Sequence, residues 1–259
     1  MPYKNIFDSH AHYTARQFAG DRKELLDALP DKGVRNVMCV ADTLAEAEAC
    51  AQLAARYDWI YCSAGVHPHN AKDAPKDLEA CLQRLLKRPK MMAVGEIGLD
   101  YHYDFSPRPL QLDLFERQLI LANQLELPVI VHDREAHADT MQLLEKHKPK
   151  GVVHCYSGSA EMAKQVIALG MYIGFTGAIT FPKARRAIEA LSVIPNDRLL
   201  IETDAPYMAP VPLRGKRCDS GMIPYTAAVM AQVKGLQVQE ILDLTHENAC
   251  RLYGIVSQH

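Results

Sequence analysis

The chain has 259 residues, of which 48% are hydrophobic, and its formal net charge is −2. This length suits a single domain with a large core and is close to the roughly 250 residues of a (β/α)8 barrel. The near-neutral charge and the lack of a Lys/Arg block argue against a protein that coats long duplex DNA. They are compatible with an enzyme that contacts one or two phosphates.

The seven cysteines show no CxxC spacing, which argues against a zinc ribbon or a disulfide framework and suggests a reducing compartment. The N-terminal segment has neither the charged region nor the apolar region of a signal peptide. No apolar run approaches the ~18 residues that a membrane span requires. We therefore expect a cytoplasmic protein that makes no contact with membranes, and a monomer, since no extra dimerisation segment is visible.

Short β-rich segments alternate with longer helical segments along the whole chain. The predicted strands are Ile6–His10, Asn36–Ala41, Ile60–Val66, Met91–Ile97, Pro128–His132, Gly151–Cys155, Met171–Gly174 and Leu199–Glu202. The predicted helices are Arg22–Lys32, Leu44–Tyr57, Leu78–Leu86, Leu110–Leu125, Ala136–His147, Ala160–Leu169, Ala184–Leu191, Ile223–Lys234 and Val238–Tyr253.

Continuous apolar strands that alternate with helices are typical of a parallel sheet covered on both faces. Eight strands at this length favour an α/β fold with a single (β/α)8 TIM barrel over residues 1–259. No linker or low-complexity stretch marks a domain boundary. An open sheet of nine strands remains the alternative if one strand is wrongly assigned.

Polar residues able to bind a divalent metal stand at the ends of five predicted strands. Because catalytic groups of a barrel project from the C-terminal ends of its strands, these residues are expected to meet at one mouth. Any one of them alone is often structural, whereas the whole set is a much stronger indication. The candidate ligands are His10, His12, Glu96, His132, His154 and Asp204.

The set indicates two metal ions. His10 and His12 face the same side of an extended segment, so they can hold one ion together. Three protein ligands usually suffice for one catalytic metal, and imidazole with carboxylate suits Zn, Mn or similar ions. Two such ions suit phosphoester hydrolysis, in which Glu96 can bridge them and Asp204 can take a proton from the attacking water.

The sequence segments around these residues resemble those of the TatD-type DNases of the amidohydrolase superfamily. The match runs from about Phe7 to Tyr253. Its segments are GVHPH at 65–69, GEIGLDY at 95–101, HDR at 132–134, HCYSG at 154–158, ETDAPY at 202–207 and RGKR at 214–217.

The resemblance implies a (β/α)8 barrel and metal-dependent, often exonucleolytic, hydrolysis of DNA. It implies that one ion, Mg, Mn or Zn, is held by His10, His12 and Asp204. The other ion would be held by His132 and His154, with Glu96 shared. Three departures from the family pattern concern substrate preference: Cys218 replaces Asn, Asp133 replaces Ser, and Tyr13-Thr14 replaces Leu-Asp.

Four further residues are candidate substrate contacts, each with a structural alternative. His67 can contact a phosphate or be an ordinary loop histidine. Arg134 can clamp a phosphate or pair with Asp133 or Glu135. Arg214 belongs to a basic loop that can bind phosphate or simply be solvated. Tyr101, together with His102 and Tyr103, can stack on an unpaired base or pack. The remaining histidines have no assigned role: His69, His137, His147, His246 and His259.

Rival functions remain open. The same metals can serve an amide, lactone or phosphotriester hydrolase, although those relatives often use a carboxylated lysine and no predicted strand here ends in Lys. An aminoacyl-tRNA ester hydrolase is a second alternative. A non-catalytic scaffold is a third, and it is disfavoured because all six ligands are present. The sequence leaves open the native metal, the polarity of digestion, the strand preference and the pathway.

Overall fold

The protein was analysed as a computed structural model, which describes residues 3–256. Its eight strands form one parallel sheet in sequential order. They are β1 Ile6–Ala11, β2 Val34–Cys39, β3 Ile60–Ala64, β4 Met91–Asp100, β5 Val129–Arg134, β6 Gly151–Val153, β7 Tyr172–Phe175 and β8 Leu199–Ile201.

The helices lie between and after the strands. They are α1 Arg22–Ala28, α2 Leu44–Ala54, α3 Leu78–Leu86, α4 Arg108–Gln124, α5 His137–His147, α6 Ala160–Ala168, α7 Arg185–Val193, α8 Ile223–Lys234 and α9 Val238–Tyr253. Within the described chain, none of these helices is both long and apolar enough to cross a membrane.

The sheet closes on itself just beyond β8. Ala11 forms a parallel bridge with Ala205, and the His12 amide donates to the Ala205 carbonyl at 2.7 Å. The Asp204 amide donates to the His10 carbonyl at 2.9 Å. The predicted (β/α)8 barrel is therefore confirmed, and the open nine-stranded alternative is wrong.

The apolar core has two parts. The first is a cluster inside the barrel, to which nearly every strand contributes an inward-facing side chain, such as Phe7, Ile130 or Leu200. Tyr253 of α9 also packs in this cluster. The larger cluster lies between the strands and the surrounding helices. This packing holds the strands rigidly, so that the groups at their C-terminal ends have fixed positions.

Two predicted boundaries differ in ways that matter. The predicted first helix stops at Ala28, because Pro30 has no amide hydrogen to continue it, and a short 3-10 turn follows over Pro30–Lys32. The fourth strand continues three residues beyond the predicted end at Ile97, as far as Asp100. Glu96 therefore lies within β4 rather than at its end.

Gly98 makes this extension possible. Its φ of +143° is a conformation that L side chains rarely adopt, and a Cβ there would collide with the His132 carbonyl. The close approach keeps β4 paired with β5 from Ile97 to Asp100. The pairing brings the side chains of Glu96, Asp100 and His132 to the same part of the mouth.

Candidate metal centre

All six predicted ligands meet at the C-terminal mouth of the barrel. Glu96 lies at the centre of the group and is 3% exposed, and each of its two carboxylate oxygens faces a different set of side chains. The convergence depends on closure of the barrel, because the candidate ligands come from β1, β4 and β5 and from the segments that follow β1, β6 and β8.

One set of side chains surrounds Oε2 of Glu96. This oxygen lies 3.3 Å from Nε2 of His10 and 3.6 Å from Nε2 of His12. The two imidazole nitrogens are 3.0 Å apart. Oδ1 of Asp204 lies 3.4 Å from Nε2 of His12 and 3.8 Å from Nε2 of His10. Four donor atoms thus converge on one small volume.

A second set surrounds Oε1 of Glu96. This oxygen lies 2.7 Å from Nε2 of His154 and 2.8 Å from Nδ1 of His132. Nε2 of His67 is 3.6 Å away from the same oxygen. His67 is only 5% exposed, so it lies within the donor cluster, beside Glu96. The donor atoms of His67, Glu96 and His132 are close enough together to hold an ion.

The donor set fits divalent metal ions. Nδ1 of His12 faces the carbonyl of Val40 at 3.2 Å, so that nitrogen carries the proton and Nε2 presents a lone pair to the cluster. Nδ1 of His10 and Nδ1 of His154 are buried and lack hydrogen-bond partners among the described residues. Several lone pairs facing one another at 3–4 Å require a positive charge between them.

Burial and neighbouring charges move the pKa values within the cluster in different directions. Burial opposes ionisation of Glu96, but positive charge on His154 and His10 outweighs it and holds the pKa of Glu96 well below its usual range. Burial also opposes charge on His154, but the charge of Glu96 raises the pKa of this imidazole well above normal. Glu96 and His154 therefore stabilise each other's charge, whereas burial lowers the pKa of His10 and holds the pKa of His67 well below its usual range.

Three carboxylates that the sequence analysis did not assign lie beside the candidate ligands. Asp100 Oδ2 lies 3.1 Å from Nε2 of His132, Glu202 Oε1 lies 3.6 Å from Nδ1 of His154, and Asp42 Oδ1 lies 3.7 Å from Nδ1 of His12. Asp100 had a usable signal, because residues 96, 98 and 100 of a strand face the same side.

His69, which had no assigned role, also belongs to this neighbourhood. Its Nε2 lies 2.9 Å from Oδ2 of Asp100. The other unassigned histidines bond elsewhere: His137 to Asp133, His147 to Glu116, and His246 to Asn36. His259 lies outside the described residues.

A cavity of about 640 Å³ opens above the ligands. Arg134 lines it, and its guanidinium lies 4.8 Å from the ring centre of Tyr103. The acidic neighbours of Arg134 are engaged elsewhere, since Asp133 bonds to His137 and Glu135 pairs with His102. Neither carboxylate therefore pairs with Arg134, whose guanidinium faces the cavity.

The other two predicted substrate contacts lie outside the lining of the cavity. The Tyr101 hydroxyl donates to Asp139 at 2.6 Å, and the Arg108 guanidinium covers its ring at 4.2 Å. Arg214 is exposed and lies 4.5 Å above the ring of Phe181. Tyr101 thus packs against Arg108 and bonds to Asp139. Arg214 lies beyond the residues that line the cavity.

The residues that depart from the family pattern are buried or bonded to neighbouring side chains. Asp133 directs its carboxylate to His137 at 2.7 Å and to Thr140 at 3.3 Å. Cys218 is fully buried. The Tyr13 hydroxyl lies 2.7 Å from Ser220 Oγ, which donates in turn to Asp8. None of the three changes a ligand atom.

A closed (β/α)8 barrel with a histidine and carboxylate cluster at its C-terminal mouth defines a metal-dependent hydrolase. The sequence profile of the family described as "TatD related DNase" matches residues 7–254. The chain belongs to this family, and it is a metal-dependent hydrolase of the TatD type.

Individual relatives agree along their whole lengths. The "Uncharacterized metal-dependent hydrolase YabD" of Bacillus subtilis (strain 168) is 37% identical over 253 residues, which cover 96% of this chain and 99% of the relative. The "3'-5' ssDNA/RNA exonuclease TatD" of Cronobacter sakazakii is 36% identical over 258 residues, with 96% and 97% covered. The crystal structure of YJJV, a TatD homologue from Escherichia coli K12, superposes with a TM-score of 0.91 at 30% identity and covers 97% of this chain and 99% of YJJV.

Proposed function

We propose that this protein hydrolyses phosphodiester bonds of DNA from a strand end, with two divalent metal ions at the mouth of the barrel. The observation that carries the proposal is the position of Glu96. Its Oε2 faces His10 and His12, which also lie near Asp204, whereas its Oε1 faces His132 and His154. A carboxylate that presents one oxygen to each of two ligand sets could contribute to holding both ions.

His10, His12 and Asp204 would hold one ion, and His132 and His154 the other, with Glu96 shared. When bound, such a pair of ions polarises a phosphate and activates water. The native ions are Mg, Mn or Zn. His67 lies beside Glu96 and His132, close enough to be a further ligand of the second ion. This role is an alternative to the phosphate contact that the sequence analysis expected of His67.

Asp204 is the proposed proton acceptor. Its side chain is 15% exposed, so it reaches both the ligands and the cavity. Its backbone has a φ of +60°, which is uncommon for a residue other than glycine, and its amide is held by the His10 carbonyl at 2.9 Å. The carboxylate is therefore fixed where it can accept a proton from a water that attacks the phosphate.

Arg134 is the proposed phosphate clamp. It lines the cavity, and its planar guanidinium can donate two parallel hydrogen bonds to one phosphate. Arg214 would contact the strand further from the reacting bond. The relatives whose names read "3'-5' ssDNA/RNA exonuclease" favour digestion from the 3′ end of a single strand.

The test is cleavage of end-labelled single-stranded oligonucleotides by chelated protein, with and without added Mg or Mn. We expect a metal-dependent ladder that shortens from the 3′ end. Glu96→Ala should lose the ladder while keeping its circular dichroism spectrum, and Glu145→Ala, at an exposed helix position, should keep both.

Two results would count against the proposal. Wild-type turnover in Glu96→Ala would contradict the shared carboxylate. A folded, metal-loaded protein that cleaves no oligonucleotide, but does hydrolyse aminoacyl-tRNA or an amide, would assign the same site to another hydrolase activity.

A further inference from the structure

Three large aromatic side chains are exposed beside the mouth of the barrel, and two of them, Tyr103 and Phe105, lie against each other. The third, Tyr207, is 52% exposed and also lines the cavity. Tyr103 is 48% exposed and lines the cavity, and Phe105, two residues further on, is 56% exposed. We call Tyr103 and Phe105 the aromatic rim. Neither ring contributes to the apolar core clusters, so folding does not account for them.

The two rings are arranged as a stack. Their centroids are 5.2 Å apart and their planes differ by 23°. His69 meets both rings at a steep angle, with centroids 5.5 Å from Tyr103 and 4.8 Å from Phe105. The Arg134 guanidinium lies 4.8 Å from the Tyr103 centroid. Flat π surfaces are thus held next to a cation at the entrance.

The loop that carries the aromatic rim is anchored to the metal centre. Oδ1 of Asp100 accepts hydrogen bonds from the amide of Tyr103 at 2.8 Å and from that of His102 at 3.0 Å. Oδ2 of the same carboxylate lies 3.1 Å from Nε2 of His132. One side chain therefore fixes the position of Tyr103 relative to a candidate ligand.

The cavity is lined by five carboxylates, which face the candidate ligands or His137, and by cations that indicate what the aromatic rim would contact. Three cationic side chains line the same cavity as Tyr103: Arg134, Lys183 and Arg186. Aromatic rings interleaved with cations are the combination that binds single-stranded nucleic acid, since bases stack on the rings while phosphates pair with the cations. A simple amide has no need of stacked rings here.

We propose that the aromatic rim stacks against an unpaired nucleobase of the substrate and so confers a preference for single strands. The proposal rests on the proposed nuclease function and specifies its substrate. A base in a duplex is already stacked and paired, so it must first be released before it can lie on Tyr103 or Phe105. A single strand requires no such step.

The test is binding, which does not depend on turnover. Chelated protein is titrated into a fluorescein-labelled hexathymidylate and into an abasic strand of the same length and charge, and anisotropy is recorded. Stacking is worth a few kcal/mol per base, so the wild type should bind the thymidylate roughly fivefold or more tightly than the abasic strand.

Tyr103→Ala should lose this difference by weakening only the binding of the thymidylate, and Phe105→Ala should reduce it. Tyr103→Phe, which keeps the ring, should retain it. Tyr3→Ala is the matched control, because Tyr3 is 40% exposed and precedes β1 at the opposite end of the barrel.

Equal binding of the two strands by the wild type, or binding of neither, would overturn the proposal. So would a loss in Tyr103→Ala that is the same for both strands, because it would show a general disturbance of the site. If the wild type discriminates between the strands but never cleaves DNA, the proposed phosphodiesterase activity fails while base stacking stands.

Discussion

Oδ2 of Asp100 lies 3.1 Å from Nε2 of His132, and Nδ1 of the same imidazole lies 2.8 Å from Glu96. Burial opposes ionisation of Asp100, but hydrogen bonds from His132 and His69 hold the pKa of this carboxyl well below its usual range. Asp100 is therefore an anion that accepts a hydrogen bond from Nε2 of His132, and the opposite nitrogen, Nδ1, faces the candidate metal centre.

Asp100→Asn should weaken metal binding. The amide keeps the size of the side chain but lacks the charge that orients His132, and loss of such a partner typically costs about 10–100-fold in metal affinity. Competition titration against a fluorescent chelator measures the change. Asp104→Asn is the matched control, because Asp104 lies on the same loop and pairs only with exposed Arg108. Unchanged affinity in Asp100→Asn would remove Asp100 from this role.

Gly174→Ala should destabilise the protein and disturb His154. A Cβ at position 174 would lie 2.5 Å from Oε2 of Glu202, a fully buried carboxylate whose other oxygen faces His154. We expect a loss of roughly 1–3 kcal/mol in the free energy of unfolding, together with weaker metal binding. Denaturant melts and metal titration provide the two readouts.

Gly20→Ala is the control for that substitution, because no heavy atom lies within 4 Å of a Cβ built at Gly20. A destabilised Gly174→Ala protein that binds metal like the wild type would show that Glu202 does not orient His154.

Arg134→Ala should raise KM for short and long oligonucleotides alike, by roughly tenfold or more, because a charged hydrogen bond to phosphate is lost. Arg214→Ala should raise KM only for longer strands, since Arg214 lies over Phe181 and outside the cavity lining. Steady-state kinetics on a series of strand lengths separates the two. Length-independent effects of both substitutions would place Arg214 at the reacting phosphate after all.

Metal ions should stabilise the fold. The buried cluster around Glu96 favours positive charge, so ions bind the folded chain more tightly than the unfolded one. At a hundredfold excess over Kd, this binding should raise Tm by roughly 5 °C or more, and a chelator should reverse the change. Scanning calorimetry with Mn or Zn measures it. Glu96→Gln should show a smaller rise, and an equal rise would place the bound ions elsewhere.

The six candidate ligands could be selected from the sequence because each lies at or near the end of an apolar strand, in a segment that resembles the family, and their binding of metal stays a prediction. Asp42 carried no such signal. Glu202 and His69 lie in the quoted ETDAPY and GVHPH segments, but their contacts depend on neighbours distant in sequence. Glu202 meets His154 across 48 positions, and His69 meets Asp100 across 31. The roles of Arg214 and His67 remain predictions.

The sequence by itself determined the alternation of strands and helices, the barrel, the family and the identity of the ligands, because periodicity and local motifs are properties of short segments. The tertiary structure decided which oxygen of Glu96 faces which histidines, that Asp100 joins the metal centre to Tyr103, and that Tyr101 packs on Arg108. These relationships depend on barrel closure and on the register between β4 and β5, which arise only when distant segments pack together.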